Sequence, residues 1–120
     1  MSKQYRIFVQ RSLKFFLVLF ISFDGFSADE IKINDLLNNI EVVSNSNERR
    51  KGLMFRKSLP ENDGMFFIWD YQKRQCMWMK NTYIPLNVAY IDSKGKILEI
   101  YEMLPMSEES ICSKKRVKYA

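Results

Sequence analysis

The sequence predicts a mostly-β protein, either a compact sandwich of the jelly-roll kind or a small barrel. We expect about six or seven short strands and one short helix near residues 46–55. Three observations support this prediction. Short aromatic and β-branched runs recur along the chain and are separated by Gly, Asn, Asp or Pro. Residues 88–91 and 97–100 flank a short Gly-containing loop, which is the pattern of a β-hairpin. Residues 29–120 are long enough for one small domain with a single core.

The first 28 residues have the pattern of a secretory signal peptide. A basic start is followed by the apolar run 15–23 and then by the small residues Gly25, Ser27 and Ala28. This order predicts an export signal that is removed near residue 28. The apolar run is shorter than the roughly 20 residues that a membrane-spanning helix needs. We therefore expect an exported protein, periplasmic in a Gram-negative host. The alternative is an uncleaved N-terminal segment that anchors the chain.

The charge of the chain does not indicate a nucleic-acid partner. The sequence carries 19 Lys and Arg against 14 Asp and Glu, a formal net charge of +5. Four of the basic residues and one acidic residue lie in residues 1–28, which leaves 15 against 13 and a charge of +2 in the domain. A cluster of basic residues at 114–118 is typical of a solvated surface or a protected strand edge. We expect no nucleic-acid partner, and contact with the membrane only through the signal segment during export.

The N-terminal part of the domain predicts two short strands. Residues 31–33 and 40–42 alternate between apolar and polar side chains, as a half-buried strand does. Asn38 and Asn39 lie between them and are typical turn residues. The sequence therefore predicts a strand, a turn and a second strand.

A helix is expected next. Asn45 fits its N-cap, and Glu48 follows three residues later, close to the capping-box pattern. The helix should continue for about nine residues and end near Phe55. Gly52 would then lie inside it, where glycine costs stability, and this suggests close contact with a neighbouring element.

Two continuous apolar runs predict buried strands. Residues 65–69 follow the turn 61–64 and are rich in aromatic side chains, which favours a strand that is buried on both faces. After polar residues at 72–74, residues 76–79 predict a second strand of this kind.

The residue types exclude several kinds of catalysis. The sequence has no histidine, which removes Ser-His and Cys-His nucleophilic pairs and histidine zinc sites. It has neither a Gly-rich phosphate loop nor a Cys-x-x-Cys pair. Two pairs of carboxylates, Asp63 with Asp70 and Glu99 with Glu102, are expected at turns or on strand faces. They are better explained as solvated surface groups than as acid–base catalysts. We expect a non-catalytic protein without a cofactor, and keep an enzyme of unknown type as an alternative.

The sulfur-containing residues allow two further hypotheses. In an exported chain, Cys76 and Cys112 can form a disulfide that closes a loop of about 36 residues. A single cysteine buried in an apolar strand is the alternative reading of Cys76. Cys76, Met77 and Met79 are also soft ligands that suit Cu(I), with Met103 or Met106 as a third ligand beside the two methionines. Methionine more often fills gaps in a small core, so we prefer packing to a copper site.

The preferred function is that of a small, exported, non-catalytic binding or accessory module. Asn81 and Thr82 near Pro85 are ordinary turn residues. One explanation of residues 81–85 is therefore purely structural, as a turn. The same two residues could also line a polar-mouthed pocket together with Lys80 and Arg56, above a floor of Trp78 and Phe66. An aromatic floor with a few fixed donors is typical of small binding sites. The candidate ligand-binding residues are Arg56, Trp78, Lys80, Asn81 and Thr82.

Four segments of the sequence resemble one known family. These are GLMFR at 52–56, Leu-Pro at 59–60, GMFF at 64–67 and WMKNTYIPL at 78–86. Their order and spacing resemble the domain of unknown function 192 over about residues 42–119. The resemblance implies a compact, mostly-β fold and an exported domain, and it implies no activity. The signature positions are Arg49, Gly52, Leu53, Met54, Arg56, Gly64, Met65, Phe67, Trp78, Met79, Asn81, Thr82, Pro85 and Leu86.

The sequence departs from the family pattern at two places. Asn87 stands where family members usually have an aspartate after Pro-Leu, so a carboxylate function at that position is not expected here. Family members also continue for roughly 25 residues, as a strand, a turn and a closing strand, where this sequence stops. We therefore expect a C-terminally truncated copy with an exposed sheet edge and marginal stability.

Overall fold

A computed structural model describes residues 6–7, 31–32 and 37–120 of the chain. The predicted signal peptide and its cleavage site lie outside the described residues, apart from 6–7. One helix is described, α1 (Ser46–Lys51). The described strands are β1 (Arg6–Ile7), β2 (Ile31–Lys32), β3 (Asn39–Val43), β4 (Asp63–Lys73), β5 (Cys76–Met77), β6 (Leu86–Ile91), β7 (Ile97–Met103), β8 (Ile111–Cys112) and β9 (Val117–Tyr119).

The central element of the described fold is a five-stranded sheet with the order β3-β4-β9-β6-β7. β3 and β4 are parallel, and the remaining neighbours in this sheet are antiparallel. β5 and β8 form a separate two-stranded antiparallel sheet, as do β1 and β2. The prediction of a mostly-β domain is confirmed. The alternative of a closed barrel is wrong, because the five-stranded sheet ends at β3 and β7.

β3 confirms the predicted strand at 40–42, but the predicted turn before it is wrong. Asn39 is already the first residue of β3 and lies opposite Asp63 of β4. β2 pairs with β1 rather than with β3. The alternating pattern therefore identified two strands correctly, while the partner of each strand depends on residues far away in the sequence.

The helix begins where the sequence predicts and ends earlier. Asn45 has extended backbone, and its side-chain oxygen accepts a hydrogen bond from the Glu48 N–H at 2.9 Å. Gly52 has a φ of 47°, which ends the helix at Lys51 instead of near Phe55. A Cβ atom at Gly52 would lie 3.3 Å from the ring of Phe67. The expected close contact of Gly52 is thus present, but at the end of the helix rather than inside it.

The first apolar run forms the buried middle of β4. Phe66 and Phe67 are adjacent in sequence and both buried, so the strand is covered on both faces there. The second run forms a strand only at Cys76–Met77. The prediction of a buried strand over 76–79 is wrong, since Cys76 is exposed and Trp78 is 44% exposed. The chain turns at Met79, whose carbonyl accepts the N–H of Thr82 at 3.1 Å.

Two apolar clusters pack on the five-stranded sheet. The first contains Met79, Val88, Tyr90, Met103 and Val117, and side chains of β5 and β8 pack against it. The second is smaller and is built around Phe66 and Ile91. The short β5–β8 sheet therefore covers one face of the larger sheet, in a sandwich-like arrangement.

The predicted hairpin of β6 and β7 is confirmed. Its six residue pairs run from Leu86 opposite Met103 to Ile91 opposite Ile97. In the loop, the Asp92 carboxylate accepts the backbone N–H groups of Lys94 and Lys96, each at 2.9 Å. The side chain of Asp92 thus fixes the turn that the Gly-containing loop predicts.

A disulfide joins the two strands of the small sheet. Cys76 and Cys112 lie opposite each other in β5 and β8, and their sulfur atoms are bonded. The adjacent Ser113 is fully buried; its hydroxyl accepts the N–H of Gln75 at 3.0 Å and donates to the carbonyl of Lys115 at 2.7 Å. Covalent and hydrogen bonds together attach β5 and the residue before it to β8 and to the segment that leads into β9.

In the part of the chain that the structure describes, no helix is long and apolar enough to cross a membrane.

Candidate functional site

Three loops that carry most of the predicted site residues are held together by backbone hydrogen bonds. The loop after α1 is joined to the loop after β5 by the Phe55 N–H, which donates to the Asn81 carbonyl at 2.8 Å. The loop after β7 is joined to the same segment by the Met106 N–H, which donates to the Thr82 carbonyl at 2.9 Å. Because both bonds use main-chain groups, the relative positions of the three loops do not depend on mobile side chains.

Each of the three loops contains a residue in left-handed backbone conformation. The φ angles are 64° at Phe55, 52° at Asn81 and 63° at Met106. Asparagine tolerates this region, whereas phenylalanine and methionine rarely adopt it. Strained residues of this kind occur most often at binding and catalytic sites. The three loops therefore resemble a functional region in their backbone as well as in their sequence.

We expect Asn81→Ala to lower the free energy of unfolding by about 1–2 kcal/mol, because alanine tolerates left-handed backbone poorly. Asn81→Gly should be better tolerated than Asn81→Ala by about 1 kcal/mol, since glycine adopts this conformation without steric cost. Urea denaturation of the two variants measures the difference. Equal losses in both variants would mean that the Asn81 side chain, and not its backbone conformation, is what stabilises the loop.

Large apolar side chains on these loops face the solvent. Phe55 is 61% and Leu104 67% exposed, and Trp78, Tyr83 and Met106 are also exposed. Single exposed apolar residues are common in proteins, whereas several on adjoining loops are typical of contact surfaces.

The predicted residues Trp78 and Lys80 are neighbours in space. The Lys80 ammonium lies 5.2 Å from the centre of the Trp78 ring, within the range of a cation–π contact. The same ammonium is 3.8 Å from a carboxylate oxygen of Glu108. Since all three groups are solvent-accessible, these contacts stabilise the fold little and leave the groups able to meet a ligand.

Thr82 has a structural function in its loop. It is buried, and its hydroxyl donates a hydrogen bond to the Lys80 carbonyl at 3.0 Å. Asn81 contributes its main-chain carbonyl to the contact with Phe55. These placements agree with the turn explanation of Asn81 and Thr82 and leave little polar surface of Thr82 for a ligand.

Arg56 forms an ion pair with Glu41 of β3. Both carboxylate oxygens accept hydrogen bonds from the guanidinium, the longer one at 2.8 Å. These hydrogen bonds, together with the charge of Arg56, lower the pKa of Glu41 although partial desolvation opposes the shift. A two-point arginine–carboxylate pair has a defined geometry. The pair links the loop after α1 to the edge strand of the sheet.

An apolar cleft of about 820 Å³ lies beside these loops. Of the predicted pocket residues, Trp78, Thr82 and Phe66 line it, whereas Arg56, Lys80 and Asn81 do not. Its wall includes residues that sequence reasoning did not place in a pocket, among them Leu53, Met54, Met65, Pro85 and Asn87. The first four are signature positions of the family. The family resemblance is therefore the feature of the sequence that could have indicated them.

Polar groups reach the cleft from α1, from the turn 61–63 before and at the start of β4, and from β6. Arg49 lines it, and the Arg49 guanidinium donates hydrogen bonds to the carbonyls of Ser44 and Ile68, the latter at 2.9 Å. Arg49 therefore fixes α1 against β4. Asn87 is exposed and also lines the cleft. The cleft thus has mainly apolar walls with a few polar groups, as small binding sites do.

The residues of the Cu(I) alternative are divided in the structure into a disulfide-bonded cysteine and a group of neighbouring methionines. The sulfur of Cys76 is bonded to Cys112, which leaves it no thiolate for a metal. Met79 and Met103 are buried together in the first apolar cluster, and Met77 packs against it. Within residues 6–7, 31–32 and 37–120, no group of three or more Cys, Asp or Glu side chains is placed to hold a metal ion.

The open five-stranded sheet, its short disulfide-linked second sheet and the apolar cleft define a small mixed β domain. The chain belongs to the DUF192 family, described as "Uncharacterized ACR", whose model matches residues 30–120. The resemblance seen in the sequence is thus confirmed, over a longer stretch than the expected 42–119.

Two solved structures share this fold. One is a candidate transcription regulator from Sinorhizobium meliloti, 37% identical, with a TM-score of 0.65 over 67% of this chain and 63% of that one. The other is a protein of unknown function from Novosphingobium aromaticivorans, 28% identical, with a TM-score of 0.64 over 67% of this chain and 58% of that one. The match spans less than two thirds of either structure. No curated protein matches this sequence.

Proposed function

We propose that the protein is an exported, non-catalytic binding module and that the cleft is its binding site. The observation that supports this most is the cleft of about 820 Å³, whose walls are mainly apolar and whose edge carries Trp78 and Asn87. Its size is within the range of known small-ligand sites. The pattern of residues 1–28 supports export.

Two of the titratable groups with shifted pKa values are poorly suited to acid–base catalysis. Burial raises the pKa of the Tyr90 phenol to about 12, which moves it further from physiological pH. The pKa of Glu41 is lowered through its pair with Arg56, away from the cleft. General acids and bases are most effective with a pKa near the working pH, and neither group has that property.

The test is site-specific photocrosslinking in the host. p-Benzoylphenylalanine is introduced at Met54, which lines the cleft, and at Tyr71, which is exposed and lies outside it. We expect a discrete adduct from the Met54 position, recovered in the exported fraction, and none of the same mass from the Tyr71 position. Adding Asn87→Trp, which places a large side chain at the cleft, should reduce the adduct, whereas Asn87→Ala should not.

The proposal is wrong if both positions give the same adducts or if Asn87→Trp leaves the Met54 adduct unchanged. Recovery of the Met54 adduct only from the cytoplasm would contradict the export part alone.

A further inference from the structure

We propose that one end of the domain docks on a bilayer of anionic lipids. This surface, here called the basic end, is formed by residues 73–74, 94–96 and 114–116, whose seven lysine and arginine residues are all exposed. The inference goes beyond the proposed function and does not depend on the cleft. It also departs from the expectation that only the signal segment contacts a membrane, because the structure brings together basic residues that are far apart in the sequence.

Strand pairing places the three segments of the basic end side by side. Lys73, the last residue of β4, lies opposite Val117, the first residue of β9, so residues 114–116 approach the sheet beside the end of β4. β9 also pairs with Ile91, the last residue of β6, from which the loop 92–96 continues. The end of β4, the loop between β6 and β7 and the segment before β9 therefore lie at the same end of the five-stranded sheet.

Two carboxylates at this end bond to main-chain groups rather than to basic side chains. Asp92 accepts the N–H groups of Lys94 and Lys96, each at 2.9 Å. Glu99 of β7 accepts those of Lys114 and Lys115, at 2.8 to 3.1 Å. In the part of the chain that the structure describes, no side chain of the basic end takes part in an ion pair. Seven positive charges against these two carboxylates leave a surplus of five.

Both arginines of the basic end are held in place by carbonyl groups. The Arg74 Nε–H donates to the Ser113 carbonyl at 3.0 Å, and a terminal nitrogen of Arg116 donates to the Gln72 carbonyl at 2.7 Å. A guanidinium carries more N–H donors than these bonds use. Both arginines therefore keep donors for the phosphate oxygens of lipid headgroups, which guanidinium groups bind well.

The residue types of the basic end favour a lipid surface over other anionic partners. Five of its seven cations are lysines, which are depleted at protein interfaces, where aromatic and apolar side chains form the centre. Its three segments contain no aromatic residue on which the bases of a single-stranded nucleic acid would stack. None of its residues lines the cleft, and small ligands prefer concave sites. A bilayer of anionic lipids attracts each lysine and arginine near its surface without requiring a pocket.

The test measures how close two positions lie to lipid headgroups in the full chain. A local readout is needed because residues 1–28 have basic and apolar side chains that can bind vesicles themselves. A coumarin amino acid replaces Ser93, beside the basic end, or Tyr83, on the loop before β6; both residues are exposed. The vesicles contain equal parts of phosphatidylglycerol and phosphatidylcholine, and a small fraction of the headgroups carries a nitroxide that quenches coumarin at short range.

We expect stronger quenching at Ser93 than at Tyr83, and equal quenching of the two positions on vesicles of phosphatidylcholine alone. Raising the salt concentration from about 0.1 M to about 1 M shortens the Debye length from about 10 Å to about 3 Å and should remove the difference. Replacing Lys73, Lys114 and Lys115 together by glutamine should raise the lipid concentration for half-maximal quenching at Ser93 by about tenfold or more. These three side chains are exposed, so their replacement should not change the fold.

The matched control is the triple variant Arg50→Gln, Lys51→Gln, Lys57→Gln. It removes the same charge from α1 and the loop after it, and should change the half-maximal lipid concentration by about twofold or less. Equal losses in the two triple variants would overturn the proposal, because net charge alone would then explain binding.

Two further results would also contradict docking on a bilayer. The first is equal quenching at Ser93 and Tyr83 on the anionic vesicles. The second is loss of quenching at Ser93 when inorganic phosphate replaces chloride at the same ionic strength, which would identify the basic end as a site for a small anion. Neither result affects the Met54 crosslinking test, so this inference and the proposed function fail separately.

Discussion

Reduction of the Cys76–Cys112 disulfide is expected to lower the free energy of unfolding by about 3–4 kcal/mol. The bond closes a loop with a sequence separation of 36 residues. In the chain-entropy model, a cross-link over a loop of this length lowers the entropy of the unfolded chain and so destabilises it by about 3–4 kcal/mol. For a small domain with a total stability of roughly 5–15 kcal/mol, this is a large fraction. The measurement is urea denaturation with and without dithiothreitol.

The double variant Cys76→Ser, Cys112→Ser is the matched control for reduction. It should unfold at the urea concentration of the reduced protein, and dithiothreitol should not change it further. If the oxidised protein and the double variant had the same midpoint, the disulfide would not stabilise the domain. The Ser113 hydrogen bonds and the β5–β8 pairing would then be sufficient to hold the two-stranded sheet.

Met79→Ala is expected to destabilise the domain by about 2–5 kcal/mol, the usual cost of truncating a buried methionine. Met79 is 2% exposed and packs with Val88, Tyr90, Met103 and Val117 in the first apolar cluster. Its removal leaves a cavity that β5 and β8 cannot fill without moving. The loss is measured by urea denaturation of the oxidised protein.

The control is Met79→Leu, which keeps the volume and should cost less than about 1.5 kcal/mol. This variant also separates packing from Cu(I) binding, because leucine has no sulfur. If Met79→Leu keeps its stability and Cu(I) added to the wild type does not raise the unfolding midpoint, the methionine is a packing residue. A Cu(I)-dependent increase in the wild type that is absent from Met79→Leu would instead favour the copper alternative.

The features predicted correctly from the sequence depend on residues that are close together in the chain. The cap of α1 needs Asn45 and Glu48, and the hairpin of β6 and β7 needs two apolar runs and one turn. In the cap and in the hairpin, the interacting segments are close together in the sequence, so the spacing of the residues is enough to predict the structure.

The features that the sequence did not predict are long-range. The pairing of β3 with β4, the position of β9 between β4 and β6, and the ion pair of Arg56 with Glu41 all join distant segments. The exposure of Trp78 was missed for a related reason. An apolar run indicates burial on average, whereas the turn at Met79 is set by contacts with Ser107 and Thr82.

The candidate site was predicted in part. Trp78 and Thr82 do line the cleft, and Lys80 is next to Trp78. The chemistry of Arg56 suggests a place beside these residues, but its guanidinium is bound to the Glu41 carboxylate instead. No local sequence pattern connects Arg56 with Glu41. Left-handed backbone at Phe55 and Met106 could not be read from residue type, because glycine and asparagine are the residues that normally indicate it.

The position of β9 has a consequence for the order in which the domain folds. β3 with β4 and β6 with β7 are pairs of strands that can form separately, and β9 is the strand that joins them. Its contacts with Ile68 and Ile91 are distant in sequence, and distant contacts form slowly. Until β9 is in place, both pairs expose an unpaired inner edge, which favours aggregation. Proteins that bind such edges during synthesis would therefore protect this chain most while β9 is still unpaired.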